Sequence, residues 1–308
     1  MRALFPHREL KYSDWGLGVT ICVALVCNDK RSIVCVSDGK ADFGDFSADG
    51  IALKLEIFSP DCIVLIAGND VEYAPSVLSV AREKCFKEES GDLKFCGPEL
   101  AALHVHETYL GLLQRQIENK VLRRHGFTLN SFRETGKDSL TPEVFASLHH
   151  RMEQVRISLQ FMICGFDEKA DKKRNPSPRI ISVSGVGIPE DRSEIGMWAI
   201  GSGNHLAMSS LMFAVENRNL HYDTSLANGI YTALEAKYMA ESNSLVGRRT
   251  ATVIIEPNRL IAAREDATDR IKKIWKRLGA PRIPKKELAK LVPPDFLFDV
   301  RVRGKKKK

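Results

Sequence analysis

The sequence predicts an α+β protein with two stacked β-sheets and helices on their outer sides. Two β-rich blocks, at 20–67 and 158–200, are each followed by helical segments, and a last core strand is predicted at Thr250–Glu256. A sheet buries its apolar faces against other layers, so two such blocks favour two sheets packed together beneath helices. The regular strand–helix alternation of a doubly wound fold is absent from the pattern.

The first block reads as a hairpin followed by two further strands. The apolar runs TICVALVC and SIVCVS are rich in β-forming residues, and the turn-forming residues 28–31 separate them. Apolar residues then alternate over 51–58, as they do in a half-buried strand. The run CIVLIA at 62–67 predicts a buried strand that ends at Gly68.

Helical patterns follow each block. After the first block, helices are predicted over 70–88, from Pro98 to about 124 and from Ser139 to about 156, with 125–140 breaking the pattern. The later elements are three short strands, two helices and a basic amphipathic helix, predicted at 158–166, 179–184, 197–200, 203–217, 224–240 and 259–278.

The composition excludes several classes of protein. The 308 residues are 44% apolar and 28% charged, which is typical of a globular chain with a substantial core. No apolar stretch is long enough for a membrane span, so no membrane partner is expected. The opening MRALFPHREL lacks the apolar centre of a secretory signal, and a cytoplasmic location is therefore expected.

The cysteines and histidines predict neither disulfides nor a metal site. Seven cysteines occur, an odd number, and no two are spaced C-x-x-C, which favours reduced thiols buried in the core. The pairs His104-x-His106 and His149-His150 place their rings on different helix faces. No metal, cofactor or nucleotide is therefore expected, since phosphate-binding glycine motifs are also missing.

Positive charge is concentrated at the C-terminal end. Residues 257–308 contain 17 Lys or Arg and 6 Asp or Glu, whereas the preceding residues contain 29 basic and 33 acidic side chains. The terminal RVRGKKKK predicts a solvated tail, with an arm for nucleic acid or an acidic partner as the alternative. No aromatic residues alternate with these lysines, so nucleic acid is not the expected partner.

Four residues at the ends of the early strands have characteristic spacings. Thr20 opens the first strand and Asp38 ends the second; Lys54 follows Asp38 by sixteen residues, and Gly68 follows Lys54 by fourteen. With the surrounding VTICVALVCNDKRSIVCVSDGKAD and LIAGND, this pattern resembles the proteasome β-subunit family and its bacterial relatives HslV and Anbu. In that family a threonine at the first strand is the nucleophile.

Three downstream segments extend the resemblance. WAIGSGNH is similar to the family's Gly-Ser-Gly, which gives Ser202 the serine position. ESNS is similar to its Asp-x-x-Ser and corresponds to Glu241 and Ser244, with glutamate in place of aspartate. FMICGFDE resembles the family's central strand, so the resemblance covers about 19–256.

The family implies a four-layer αββα sandwich of the N-terminal-nucleophile (Ntn) hydrolase type. On this basis residues 20–256 form the Ntn domain, with a helical insertion at about 99–150. Residues 1–19 are then a leader or a mis-assigned start, and 257–308 form a basic extension, helical and irregular.

The same resemblance implies a role for each site residue. Thr20 would be the nucleophile, with its own α-amine, whose pKa is about 8 in model peptides, as the base. Lys54 would lower the pKa of that amine, and Asp38 would hold Lys54 in place. The Gly68 N–H would donate to the oxyanion. The residues expected to orient the amine are Ser202, Glu241 and Ser244.

Each of these residues also has an ordinary interpretation by itself. Thr20 could simply begin a strand, Asp38 could cap a turn, and Lys54 could lie on a solvated face. Gly68 could serve a turn, and the downstream serines and glutamate could end helices. Cys22 is an alternative nucleophile, disfavoured because it lies two residues inside the strand.

The residues before Thr20 raise a difficulty, because the mechanism needs a free amine there. The leader could be removed autocatalytically, although valine, and not the family's glycine, precedes the threonine. Translation could instead begin at Val19, read as a start codon, followed by removal of the methionine. A third possibility is that the leader stays attached and the protein is a non-catalytic subunit.

The sequence thus predicts a threonine-type endopeptidase acting on peptides or unfolded protein. The resemblance also implies a homo-oligomer, either a ring or a spiral, and leaves an ATPase partner open. Two alternatives remain: a non-catalytic structural subunit that keeps its leader, and an Ntn hydrolase for small amides.

Overall fold

The fold confirms the predicted α+β class, with two antiparallel sheets and helices. The structure is a computed structural model that describes residues 20–42, 47–49, 54–89, 92–167, 176–278 and 297–299. The predicted leader, the start of the 51–58 strand and the lysine-rich end lie outside these residues. None of the described helices has the length and apolar character needed to cross a membrane.

The described strands include the eight that the sequence predicts and seven more, and the predicted helix over 70–88 is wrong at its end, where residues 86–88 belong to a strand. In the first half they are β1 Cys22–Cys27, β2 Ser32–Asp38, β3 Lys40–Asp42, β4 Ser47–Asp49, β5 Leu55–Ser59, β6 Cys62–Gly68, β7 Phe86–Glu89 and β8 Asp92–Phe95. In the second half they are β9 Leu159–Asp167, β10 Ser177–Ser184, β11 Glu190–Asp191, β12 Met197–Ile200, β13 Thr250–Glu256, β14 Arg259–Ala263 and β15 Leu297–Asp299.

The described helices lie mainly between and after the two β-rich blocks. They are α1 Ala74–Cys85, α2 Pro98–Ile117, α3 Leu129–Ser139, α4 Pro142–Gln154, α5 Asn204–Arg218, α6 Leu226–Ala240 and α7 Glu265–Leu278. The chain leaves α2 through a π-helical turn, Glu118–Leu122, and a short 3₁₀ turn, Arg123–His125.

Two larger sheets organise the molecule. Sheet 1 has the strand order β12-β1-β2-β13-β14-β15, and sheet 2 has the order β11-β10-β9-β6-β5. The β1–β2 hairpin turns at Asn28, Asp29 and Lys30, which all have positive φ, and Asn and Asp tolerate that conformation better than most residues. The pairs β3–β4 and β7–β8 form separate small hairpins.

The central strands of each large sheet are buried on both faces, and successive residues along a strand face opposite sides. On β1, Val23 and Leu25 belong to the apolar cluster that contains residues of α5, α6 and α7, whereas Ala24 and Val26 face sheet 2. Sheet 2 repeats the arrangement, because alternate residues of β6 and β9 face either sheet 1 or the helices α1 and α2. The most extensive apolar contacts therefore lie between the sheets and beneath the two groups of helices.

The predicted break at 125–140 is wrong, because α3 occupies most of it. Thr128 caps this helix through a reciprocal capping box with Ser131. Phe132 then packs with α4 in a small separate cluster, where a Cβ on Gly136 would meet its ring at 2.9 Å. The polar composition of α3 conceals the few buried positions that hold it.

The predicted helix over 259–278 is also wrong in its first part. Residues Arg259–Ala263 form β14, which pairs with β13 after a turn at Asn258, where φ is +60°. The helix begins at Glu265, and its Ile271 is buried in the cluster between sheet 1 and its helices. This part of the assigned C-terminal extension therefore packs as part of the domain.

Candidate functional site

Thr20, Asp38 and Lys54 come together at one end of the two sheets. Thr20 lies just before β1, and Asp38 ends the neighbouring β2. The two residues lie at the same end of the hairpin because Cys22 pairs with Ser37. Lys54 immediately precedes β5 in the other sheet, where its carbonyl accepts a hydrogen bond from the Ile66 N–H. The β1–β2 pairing thus places Thr20 and Asp38 at the same end of sheet 1, and the packing of sheet 2 against sheet 1 brings Lys54 to them.

The Lys54 ammonium links the other two side chains. Its Nζ lies 2.7 Å from Thr20 Oγ1 and 3.0 Å from Asp38 Oδ1. All three residues are buried, with exposed fractions of 0% for Thr20, 1% for Asp38 and 2% for Lys54. A buried lysine needs a nearby anion, and Asp38 supplies it.

Asp38 is held by the backbone as well as by Lys54. Its Oδ1 accepts the Ile21 N–H at 3.2 Å, and its Oδ2 accepts the Gly247 N–H at 2.7 Å. These two donors orient the carboxylate, which fixes the position of the Lys54 ammonium in turn.

A loop after β12 surrounds the backbone of Thr20. The Thr20 N–H donates to Ser202 Oγ at 3.2 Å, and the same hydroxyl donates to the Thr20 carbonyl at 3.2 Å. The Gly203 N–H also donates to that carbonyl, at 3.2 Å. Gly201 has φ +98°, and a Cβ there would lie 2.4 Å from the Thr20 carbonyl oxygen, so only glycine fits.

Asn243 supports this loop, although the sequence analysis did not single it out. Its Nδ2 donates to the Ser202 carbonyl at 3.1 Å, and its Oδ1 accepts the Leu245 N–H at 3.0 Å. Asn243 lies inside the ESNS segment, so that segment does contact the Thr20 loop, but through a different residue. Gly247, also missed, has no side-chain pattern that could have indicated its bond to Asp38.

Gly68 lies at the same end of sheet 2, where β6 ends beside β9. Its φ is +131°, and a Cβ would come within 2.0 Å of the Ser158 carbonyl oxygen. The neighbouring Asp70 accepts the Ser158 N–H at 2.6 Å. The close approach of Ser158 is therefore sufficient to require glycine here, whatever a substrate would need.

Glu241 does not join the Thr20 cluster, which corrects the role predicted for it. Its carboxylate contacts the ammonium of Lys237 and also that of Lys272, at 2.8 Å from Oε1 and 2.7 Å from Oε2. Both lysines also donate to the Arg248 carbonyl, at 3.2 and 2.9 Å respectively. Glu241 thus anchors the 241–248 loop, and Ser244, exposed on that loop, keeps its role only as a prediction.

Burial shifts the pKa values of Cys22 and Lys237. Burial, followed by the nearby Asp38 charge, raises the pKa of the Cys22 thiol well above its ordinary value. Its Sγ donates to the Ile66 carbonyl at 3.4 Å. Cys22 therefore stays a buried thiol, which argues against it as the alternative nucleophile. Burial lowers the pKa of Lys237 despite the Glu241 carboxylate beside it.

No candidate metal centre is found within the described part of the chain. No group of three or more His, Cys, Asp or Glu side chains there is placed to hold an ion. The arrangement at Thr20 consists of a hydroxyl, an ammonium and a carboxylate, which are groups that occur in nucleophilic sites.

Comparison with known proteins assigns neither a family nor a function to this site. No protein-family model matches the chain. A search of curated proteins also finds no match.

Proposed function

We propose that the protein is an Ntn hydrolase of the proteasome β-subunit type, with a four-layer αββα fold and Thr20 as nucleophile. The observation that carries the proposal is the 2.7 Å contact between Lys54 Nζ and Thr20 Oγ1, with Asp38 3.0 Å from the same ammonium. Three residues separated by spacings that resemble the family's thus meet inside one buried site.

The Lys54 ammonium suits the activation of a hydroxyl nucleophile. Its hydrogen bond to Oγ1 stabilises the negative charge that develops on this oxygen when its proton leaves. Burial strengthens this interaction, since water does not screen it. Asp38 balances the charge of Lys54, whose ammonium lies within hydrogen-bond distance of both the carboxylate and the hydroxyl.

The proton would go to the nitrogen of Thr20 itself. That nitrogen lies 3.2 Å from Ser202 Oγ, which orients it. A free α-amine there could take the Oγ1 proton and later return it to the leaving amine of the substrate. The reaction is then attack on an amide, formation of an acyl-enzyme and its hydrolysis, with peptides or unfolded protein as substrates.

The proposal needs the bond between Val19 and Thr20 to be absent. While that bond exists the nitrogen is an amide, which cannot act as a base. Thr20 is also 0% exposed in the full chain, so a substrate could not reach its hydroxyl. If the leader is retained, the chain is therefore the alternative, a non-catalytic subunit of the same fold.

Two measurements on the purified chain separate these functions. Intact mass and N-terminal sequencing establish whether Thr20 becomes the first residue. Treatment with a peptide epoxyketone then tests reactivity, since its two electrophilic carbons require both the hydroxyl and the free amine of one threonine. We expect an adduct at Thr20 and none in Thr20→Ala, with Thr252→Val as a matched control for removal of a buried threonine.

Each outcome of these measurements supports a different one of the three functions. A chain that keeps residues 1–19 on every molecule and never reacts is the structural subunit. A chain that starts at Thr20, reacts and cleaves unfolded protein in an oligomeric assembly is the proposed peptidase. Reaction combined with cleavage of small amides alone would identify the small-amide hydrolase.

A further inference from the structure

Gln160 connects the two sheets beside the Thr20 site. It lies on β9 opposite Ala67, and the next pair along these strands is Gly68 with Leu159. Its side chain reaches across to sheet 1, where Oε1 accepts the Gly201 N–H at 3.1 Å. One side chain thus joins the strand pair of Gly68 to the loop around Thr20.

The bond falls on the segment that controls Thr20. Gly201 starts the loop whose next two residues, Ser202 and Gly203, contact the nitrogen and the carbonyl of Thr20. Gly201 itself passes so close to Thr20 that a Cβ would lie 2.4 Å from its carbonyl oxygen. A shift of Gly201 therefore moves the hydroxyl of Ser202 relative to the Thr20 nitrogen.

The interface between the sheets otherwise consists largely of apolar contacts. Residues such as Ala24, Leu65 and Met162 meet there, and apolar packing is not directional. A hydrogen bond weakens steeply when its distance or angle changes, so it fixes the position of one sheet against the other. Lys54 fixes the Thr20 side chain from sheet 2, and Gln160 fixes the Thr20 backbone from the same sheet.

We propose that Gln160 is a positioning residue. It holds Gly201 so that the Ser202 hydroxyl keeps the Thr20 nitrogen in the orientation needed to accept the Oγ1 proton. This inference rests on the proposed function for its chemical consequence. Gln160 does not touch Thr20 and acts through the backbone of the 201–203 loop. The accepting oxygen is the part that matters, so glutamate should replace glutamine and leucine should not.

The first test is hydrogen exchange at the Gly201 amide, measured by NMR on the full chain. Gln160→Leu keeps the approximate shape of the side chain and removes the acceptor, and exchange of Gly201 should become about tenfold faster. Gln160→Glu keeps an acceptor and should exchange at the wild-type rate. Thr252→Val is the control, because its buried hydroxyl has no hydrogen-bond partner in the described structure.

The second test is the rate of epoxyketone reaction at Thr20 in the same proteins. In Gln160→Leu the maximal rate at saturating reagent should fall about tenfold, with the half-saturating concentration unchanged, and Gln160→Glu should restore the rate. A merely structural loss would not be rescued by the glutamate. If the wild type does not react, the proposed function fails, and the exchange data still decide whether Gln160 holds Gly201. Unchanged exchange in Gln160→Leu, or equal loss of reaction in both variants, would overturn the inference.

Discussion

Two buried lysines, Lys54 and Lys237, form similar ion pairs in different surroundings. Both have side chains that are almost fully buried, and each contacts a carboxylate, Asp38 or Glu241 respectively. Lys54 also donates to the hydroxyl of Thr20, whereas Lys237 donates to the carbonyl of Arg248. The two lysines differ in the other group that each contacts: the Thr20 hydroxyl could act as a nucleophile, whereas the Arg248 carbonyl only accepts a hydrogen bond.

The second pair also has a second lysine. Lys272 contacts both oxygens of Glu241, so two ammonium groups surround one carboxylate. This arrangement holds the 241–248 loop against α6 and α7. The Gly247 N–H on the same loop donates to Asp38 Oδ2, so the position of the loop also affects Asp38. The second ion pair therefore stabilises the loop beside the site, and its link to Asp38 runs through the Gly247 backbone N–H.

The largest difference is expected between Lys54→Met and Lys237→Met. Loss of Lys54 removes the group that stabilises charge on Oγ1, so the rate of epoxyketone reaction at Thr20 should fall about 10³-fold. Lys237→Met should keep most of that rate in the folded protein. The rate is measured by intact mass, with the folded fraction followed by circular dichroism.

A double variant keeps this prediction independent of stability. Lys54→Met alone leaves Asp38 as a buried charge and should destabilise the fold. Asp38→Asn with Lys54→Met removes both charges, so it should recover stability without recovering the reaction. A wild-type rate in either variant would contradict the role given to Lys54.

The next largest effect is on stability, in Glu241→Gln. The substitution leaves Lys237 and Lys272 without their carboxylate, which should cost about 3–5 kcal/mol in the free energy of unfolding. Urea titration measures this, while the reaction at Thr20 should persist in the folded protein. Glu235→Gln, which breaks the buried pair with Arg218, is a matched control. Loss of reaction without loss of stability would restore the role first predicted for Glu241.

A smaller effect is expected for Ser202→Ala. The variant removes the hydroxyl that contacts both the nitrogen and the carbonyl of Thr20. One neutral hydrogen bond of this kind corresponds to about a tenfold decrease in the reaction rate. Ser209→Ala is the control, since that hydroxyl donates within its own helix, to the His205 carbonyl. Equal rates in the two variants would show that Ser202 does not orient the nitrogen.

Much of the fold and part of the site could be predicted from the sequence. The strands have strong apolar runs, and their order gave the α+β class with two sheets. The positions of Thr20 and Asp38 follow from the register of the β1–β2 hairpin, a local property that the sequence pattern predicts well. Lys54 comes from the other sheet, and its place was predicted only through the resemblance in spacing. Helix α3 could not be predicted in the same way, because few of its side chains are buried.

The errors at the site concern contacts between distant parts of the chain. Glu241 pairs with Lys272, which lies in a segment first taken for a separate extension, so no local pattern indicated the pair. Gln160 and Asp38 each bond a backbone N–H, on Gly201 and Gly247. Nearly every residue carries the same backbone N–H, so residue types do not indicate which N–H a side chain will bond, and only the fold shows it.

The smallest predicted effect is the pH dependence of the stability that Lys237 contributes. Burial lowers the pKa of Lys237 below its ordinary value of 10.5, so in the window between the two values the unfolded chain binds more protons than the folded one. The contribution of Lys237 to stability is therefore greatest above pH 10.5 and is lost as the pH falls through the lowered pKa. Relative to Lys237→Met, the wild type should become more stable as the pH rises through this window. Urea titrations at several alkaline pH values measure the difference, and the comparison with methionine cancels the tyrosines and other lysines that titrate in the same range. A difference that stays constant or falls would mean that Glu241 and the Arg248 carbonyl fully offset the burial of this ammonium.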